Sequence, residues 1–393
     1  MAETATSIKS IRDLDITGKQ VFMRVDFNVP LSEPDANGVC HVEDDNRIQE
    51  SLPTIKYAIE TGAKVILGSH LGRPDGKKKK AFSMAPVAER LHEILGQEIL
   101  LADDCVGDGI ELMAKSLKNG QIMLLENLRF HAEEEANDPG FAGRLARLCQ
   151  VYVTDAFGTA HRKHASTYGV PLLLAEKGIG LLIEKELKYL DPLLHSPKKP
   201  FIAILGGAKV TDKIKTIESL MRRVDGIVIG GAMGHAFWAA EGRAIPSNAK
   251  QPKPADIEAA KAVLRDAKKR EMALLIPSDT NQGFDIGDKT IKEFEELLSR
   301  AKTVFWNGPL GWFEKSEYAR GTFEIAKFLS ELDAVKVVGG GDTVSAVKES
   351  GVASKFEHLS TGGGAVLEYL EGHGLPGIDI LKQTRQQQIQ RKL

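Results

Sequence analysis

The chain has little cysteine, no long apolar run and no excess of charge of either sign. Its three cysteines, Cys40, Cys105 and Cys149, are odd in number, far apart and without a CxxC pair. That pattern gives neither a disulfide framework nor a zinc spacing, and it fits a reducing cytosol. No stretch approaches the roughly 18 apolar residues of a membrane span. The opening MAETATSIKSIRD is polar throughout and lacks the apolar core of a signal peptide, so a soluble cytoplasmic chain is expected. Lys plus Arg number 52 against 54 Asp plus Glu, a formal charge of -2. No whole-molecule basic field exists to draw the protein onto nucleic acid or anionic lipid. Residues 1–190 hold 23 Lys plus Arg against 28 Asp plus Glu, so an anionic ligand of that half has to be held by a few converging cations.

What is abundant is glycine, 38 of 393 residues, above the usual share of about 7%. The length predicts two or three domains, each large enough for its own core. Short β-branched runs alternate with stretches of helical period from end to end, the pattern of βαβ units and parallel sheets. In the first half, strands are expected at Val21–Val29, Lys64–Ser69, Ile122–Glu126 and Val151–Asp155, with helices at Leu52–Ile59 and Met84–Leu95. A second series follows at Phe201–Leu205, Gly226–Ile229, Ala273–Pro277, Thr303–Trp306, Lys336–Val338 and Phe356–Leu359, six strands that make a sheet of their own. Between the two series, Ile179–Leu194 reads as a helix stopped by the prolines of HSPKKP, a connector between two α/β lobes. The lysine run Lys77–Lys80 reads as a solvated loop.

Four glycine groups fall at expected strand ends of the second lobe: Gly206-Gly207, Gly230-Gly231, Gly339-Gly340-Gly341 and Gly362-Gly363-Gly364. A single pair is explained by a tight turn. Four in one lobe point to a phosphate cradle, because ligands of open α/β sheets sit at the carboxyl ends of strands, where glycine lets backbone N–H groups approach. Neither GxxxxGK[ST] nor GxGxxG is present, which disfavours a P-loop enzyme and a dinucleotide dehydrogenase. Lys209 and Lys213 are four apart, so a helix beginning there places both ammonium groups on one face. Asp342 offers a hard oxygen ligand for Mg²⁺ carried by phosphates, or simply a helix cap, and Thr343 a hydroxyl beside it.

The first lobe offers cations at its strand ends instead: His70-Leu-Gly-Arg73, Asn127-Leu-Arg129 and the stretch Asp155–Arg162. Arg24, Asp26 and Asn28 alternate along one expected strand and share a face. Each alone suits an ion pair, but together they describe a basic pocket, since arginine forks grip phosphate and carboxylate with paired bonds. One lobe gripping a small anion and one gripping a nucleotide make phosphoryl transfer the leading class.

These motifs closely resemble the phosphoglycerate kinase family. The resemblance runs through RVDFNVPL (24–31), NRI (46–48), SHLGRP (69–74), LLENLRFH (124–131), DAFGTAHR (155–162), LGGAKVTDKI (205–214), WNGP (306–309), GGGDT (339–343) and STGGGA (360–365). It implies two Rossmann-like lobes, each a parallel sheet flanked by helices, with a phosphoglycerate-binding domain at 1–178, a connecting helix and linker at 179–200 and a nucleotide-binding domain at 201–379. It also implies a C-terminal strap at 380–393 returning to the first domain. The implied reaction is reversible Mg²⁺-dependent phosphoryl transfer between 1,3-bisphosphoglycerate and ADP, giving 3-phosphoglycerate and ATP, by a monomer whose lobes close around the substrates. A silent nucleotide-binding protein of the same fold is the competing class, and the survival of every cationic position argues against it.

Carried over by motif, the resemblance implies that Asp26, Phe27, Asn28, Arg47, His70, Leu71, Gly72, Arg73, Arg129 and Arg162 surround the phosphoglycerate. On the nucleotide side it implies Lys209, Lys213, Asn307, Glu314 at the ribose, Gly340, Gly341, Asp342 and Thr343, with Asp342 as the metal ligand. Arg47 and Lys209 are implied nearest the transferred group. Three features depart from the family pattern: a longer, more acidic loop at Ser32–Asp45, Ala232 where a third glycine is usual, and Trp312 where a small aliphatic is usual.

Overall fold

The computed structural model describes residues 8–35 and 39–382. The chain divides into two compact units, Met1–Lys185 with Gly374–Leu393, and Glu186–His373. The division therefore passes through the helix Leu181–His195 rather than on either side of it. The return of the chain to the first unit begins at Gly374, six residues ahead of the expected strap. Gly377 N donates to Ala160 O at 2.9 Å there. Of the strap itself, Ile380–Lys382 is a short 3₁₀ turn with Ile380 and Leu381 buried, and 383–393 lie outside the described residues.

In the first unit, six parallel strands stand in the order β3-β4-β2-β1-β5-β6. They are β1 (Gln20–Arg24), β2 (Lys64–Gly68), β3 (Ile99–Leu101), β4 (Ile122–Leu124), β5 (Val151–Thr154) and β6 (Glu176–Ile179). Central strands are apolar on both faces, as a sheet covered by helices on each side requires, and Val21, Val65, Ile122 and Val151 are all inaccessible. Arg24, the last residue of β1, pairs with Gly68 and Thr154. The strand stops there instead of running to Val29. Beyond Val25 the backbone turns to side chains, with Phe27 N donating to Ser69 Oγ at 2.8 Å and Asn28 N to Asp26 Oδ1 at 3.3 Å. Asp26 and Asn28 thus belong to a loop at the carboxyl edge, not to one strand face.

The second unit carries its own six-stranded parallel sheet in the order β14-β13-β12-β7-β8-β9. Its strands are β7 (Phe201–Leu205), β8 (Gly226–Ile229), β9 (Ala273–Leu275), β12 (Thr303–Asn307), β13 (Val335–Gly339) and β14 (His358–Leu359). A two-stranded antiparallel ribbon, β10 (Thr280–Asn281) with β11 (Asp285–Ile286), stands apart from it. Ile204, Val304, Trp306 and Val338 pack with Phe294 and Leu329 into a closed core, and each such side chain contributes roughly 1.5–3 kcal/mol by leaving water.

The helix Leu181–His195 is held by side-chain bonds within its first two turns. Pro192 lies inside it rather than ending it. At its start, Asp155 Oδ1 accepts from Leu182 N and Ile183 N at 3.0 and 3.2 Å, satisfying two of the orphan amides of a helix N-terminus. In the second unit, the buried Glu186 accepts from Ser360 Oγ and Thr361 N and pairs with His358 Nε2 at 2.6 Å.

Burial lifts the fully enclosed Asp155 carboxyl to about 7. The folded form therefore holds its proton where the unfolded chain, with an ordinary carboxyl near 4, has lost it. Stability must fall as pH rises from about 4 to 7 through this group. Asp155→Asn keeps the acceptor oxygen and is expected to flatten that slope in urea titrations; Asp155→Ala flattens it too, and is expected to lose about 1–2 kcal/mol below pH 4, where the wild-type carboxyl is protonated in both states.

Candidate functional site

The carboxyl edge of the first sheet gathers the expected cations. Arg47, on the first turn of the helix Asn46–Glu60, donates from Nη1 to Asp26 Oδ2 at 2.8 Å and keeps 37% of its side chain exposed. Burial would raise the Asp26 carboxyl, but His70, Arg47 and Arg24 outweigh it and hold it below its ordinary value. His70 Nδ1 is 3.3 Å from Arg24 Nη2 and 3.9 Å from Asp26 Oδ1. Burial, with three arginines nearby, keeps this imidazole well below its usual pKa despite Asp26, so it is neutral at pH 7.

Two backbone bonds shape the loop that follows β2. Asn28 Oδ1 accepts from Gly72 N at 2.8 Å, and Asn127 Nδ2 donates to Leu71 O at 2.7 Å. Gly72 sits at φ +61°, where a Cβ would come within 2.4 Å of the Phe82 ring. Arg129, with a side chain 5% exposed, donates from Nη1 to Gly72 O at 3.0 Å and lies 3.2 Å from Glu135. Its Nη2 is buried with no hydrogen-bond partner among the described residues. A buried guanidinium nitrogen with an unspent donor is the signature of a place for an anion. Arg162 bonds His161 at 3.1 Å and repels Arg129, and burial is the main reason the Arg129 pKa is lowered. Arg73 is exposed on the same loop.

The long loop ahead of Arg47 is acidic where it meets the second helix of this unit. Asp45 receives Arg90 Nη2 at 2.8 Å, beside a cavity of about 520 Å³ lined by Glu43, Asp44, Asp45, Glu89 and Glu93. That cavity repels anions, and residues 36–38 of the loop lie outside the described residues. Cys105, Asp104 and His131 also converge, but each is already engaged: Cys105 Sγ donates to Glu126 O at 2.9 Å and His131 Nε2 pairs with Asp104 at 2.6 Å.

In the second unit Gly206-Gly207 and Gly230-Gly231 directly follow β7 and β8, Gly339 closes β13 with Gly340 and Gly341 after it, and Gly362–Gly364 begins three residues past β14. A cavity of about 340 Å³ is floored by Gly207, Gly231 and Gly311 and walled by Phe284, Pro309 and Trp312, with Glu314 and Asp342 on its rim. Glycine is obligatory at Gly206, where a Cβ would stand 2.0 Å from Pro309 O. Phe284, Trp312 and Tyr318 form an aromatic cluster with centroids 4.9–6.4 Å apart, a flat apolar face suited to a nucleobase. Ala232 and Trp312, two of the three family departures, both line this cavity.

Lys213 is a part-buried cation at the glycine loop of this unit. Its Nζ donates to Gly206 O at 2.6 Å, to Asn307 O at 3.0 Å and to Asn307 Oδ1 at 2.5 Å. Burial, opposed by Asp342 and Asp212, brings it down to about 8. The expected common helix face with Lys209 is not formed. The helix runs Ile214–Leu220 with Lys213 as its cap, because residues 206–213 turn to close the glycine loop. Lys209 is half-exposed, 3.6 Å from Asp212, and lines a neighbouring cavity of about 310 Å³. Gly341 and Asp342 open the helix Gly341–Glu349, capped by Gly340 at φ +93°. Thr343 Oγ1 accepts from Gly308 N at 2.6 Å, so this hydroxyl fixes the loop that carries the cavity wall.

The Lys213 value gives a test. Bound phosphates must raise it, so nucleotide binding near pH 8.5 is expected to take up close to one proton, read as a buffer-dependent heat in calorimetry, and affinity is expected to fall as pH rises past about 8. Lys213→Arg is expected to abolish the uptake.

Some site groups carried no sequence signal. Ser69, Glu134 and Ser166 prove to be buried polar supports, yet Glu134 looks like the middle of an ordinary acidic surface run, HAEEEAND. Lys250 lines both second-unit cavities and stands in a stretch with no motif.

A guanidinium cluster with an unspent donor on one α/β unit, and a glycine cradle with a helix start on another, define a phosphotransferase. The family model for phosphoglycerate kinase matches residues 11–373. Curated phosphoglycerate kinases of Anaeromyxobacter sp. strain Fw109-5 and Koribacter versatilis are each 49% identical, covering 96% and 95% of this chain and 100% and 98% of their own. Among solved structures, phosphoglycerate kinase from Coxiella burnetii is 35% identical with a TM-score of 0.85, covering 96% of this chain and 99% of its own. That from Pyrococcus horikoshii is 30% identical with a TM-score of 0.83, covering 97% and 99%. The chain belongs to the phosphoglycerate kinase family, and its activity is reversible phosphoryl transfer between 1,3-bisphosphoglycerate and ADP. Among the described residues no helix is long and apolar enough to cross a membrane.

Proposed function

We propose that the first unit binds the phosphoglycerate and the second the nucleotide, in a cytoplasmic monomer. The observation that carries this assignment is the buried, unpartnered Arg129 Nη2 within a group of cations at one sheet edge. Arg129, Arg73 and Arg162 take the phosphate, while Asp26 and Asn28 orient Arg47 and the Gly72 loop. Lys213, Asn307 and the amides at Gly340 and Gly341 hold the nucleotide phosphates, and Glu314 takes the ribose hydroxyls.

The chemistry needs no general base. In the ATP-consuming direction the nucleophile is the glycerate carboxylate, already ionised at pH 7. The site supplies alignment and neutralises charge spread over the transferring group. Arg47 and Lys209, both with exposed charged heads, serve that group. Asp342 fits a Mg²⁺ ion, being an exposed hard carboxylate on the rim of the cavity; such ions take one or two carboxylates and complete their shell with phosphate and water. When bound, the ion offsets phosphate charge. Transfer requires the two bound substrates to meet, and closure of the units is the means we infer.

A coupled assay with 3-phosphoglycerate and ATP, with Mg²⁺ and then with EDTA, tests the whole reading. Metal-dependent release of ADP is expected. ADP release that ignores EDTA removes the Asp342 role.

A further inference from the structure

Behind the cationic cluster lies a carboxylate that takes no part in the transfer. Glu134, on the short helix Ala132–Glu135, is wholly buried. Its Oε1 accepts from Ser166 Oγ at 2.5 Å and its Oε2 from Ser166 N at 2.9 Å. Ser166, its hydroxyl proton spent on Glu134, accepts from Arg24 Nε at 2.8 Å. Tyr152 Oη donates to Ser166 O at 2.9 Å and fixes the residue from the other side. Arg24, 1% exposed, gives Nη1 to Val25 O and places Nη2 3.3 Å from His70 Nδ1.

The direction of each bond is forced. Arginine has five donors and no acceptor, so only an unprotonated Nδ1 can face Arg24. A neutral imidazole with a bare Nδ1 carries its proton on Nε2. The carboxylate accepts two donors from one serine, which an amide cannot do with both of its ends.

We propose that Glu134 is a positioning residue of the anion site: through Ser166 it fixes Arg24, and Arg24 fixes His70 as the Nε2–H tautomer, a neutral donor ready for a substrate oxygen. The arrangement explains why a glutamate sits beneath a basic pocket. Arg24 is too deeply buried to stand without a partner, and a carboxylate placed directly against it would spend the donors that His70 requires. Interposing a serine neutralises the charge at a distance and leaves the fork pointed at the imidazole. Arg129, Tyr152, Cys105 and His164, whose Nδ1 is 4.0 Å from Oε1, also face Glu134. The proposal rests on the anion-site reading given above.

The test uses the full chain labelled with ¹⁵N-histidine, His70 being assigned by its loss in His70→Gln. In the unliganded wild type at pH 7, His70 is expected to show one protonated nitrogen, Nε2, and one bare nitrogen, Nδ1. In Glu134→Gln and in Ser166→Ala the pattern is expected to move towards a tautomer mixture. The KM for 3-phosphoglycerate is expected to rise about tenfold, as one lost charge-assisted bond requires, with the nucleotide KM within about twofold. A wild-type His70 protonated on Nδ1, or on both nitrogens, overturns the proposal. So do folded variants in which neither the pattern nor the KM moves. If Glu134→Gln does not fold, Ser166→Ala and the wild-type spectrum decide. Failure of the underlying reading is distinguishable, because it appears as an unchanged KM for 3-phosphoglycerate in Arg129→Ala and leaves the wild-type His70 spectrum untouched.

Discussion

Arg47→Ala is expected to reduce turnover about 10³-fold or more, the range of a cation serving a transferring phosphoryl group, while the KM for 3-phosphoglycerate changes little. The reason lies in how Arg47 is held. One nitrogen is anchored on Asp26, and more than a third of the side chain remains in solvent. A half-exposed fork gains little from binding a ground-state anion in water. It gains much more once water is excluded and charge develops, which lowers turnover rather than affinity when it is lost. Steady-state kinetics in the ATP-consuming direction read the split. Unchanged turnover with a raised KM would remove Arg47 from that role.

Arg129 should show the reverse. Arg129→Ala is expected to raise the KM for 3-phosphoglycerate about 100-fold, the worth of two charge-assisted bonds, with turnover at saturation falling far less. This guanidinium is buried, tied to Gly72 O and Glu135, with its remaining nitrogen unspent. Its geometry is complete before any reaction begins. Arg129→Lys keeps the charge but not the fork, and an intermediate rise of about tenfold is expected. Equal effects of the two substitutions on KM would mean that the fork, and not the charge, is what matters at this position, and a wild-type KM in Arg129→Lys would mean that charge alone suffices.

How much of this could be read from the residues varies between the units. The second unit is legible because its strands are compact, mostly apolar runs, four of them (β7, β8, β12 and β13) closed by glycine, and all six form one sheet. The outer strands of the first unit were not. Glu176–Ile179 spells EKGI, and Ile99–Leu101 is three half-buried residues inside a helix-like stretch; both pair at sheet edges, where tertiary contact decides and propensity does not. The Arg24, Asp26, Asn28 alternation predicted one shared face, but the strand ends at Arg24 because side chains take over its hydrogen bonds.

The cationic residues were visible through their motifs, and their supports were not. Nothing in three successive glutamates marks Glu134 as the buried one. The spacing of Lys209 and Lys213 suggested a helix, and the glycine loop consumed those residues in a turn instead. The course of that loop follows from long-range bonds, Lys213 to Asn307 and Thr211 to Asp256, that no local pattern encodes.

The aromatic wall of the second cavity has an optical consequence. The chain contains three tryptophans. Trp306 is wholly enclosed, Trp238 is 7% exposed with its indole bonded to Pro277 O, and Trp312 is 43% exposed at the cavity. Collisional quenchers in solution reach only the last of these efficiently. The accessible fraction of the intrinsic emission therefore belongs to the one indole that lines the proposed nucleotide cavity, and nucleotide occupancy is expected to be readable on the unlabelled protein, free of any coupling enzyme.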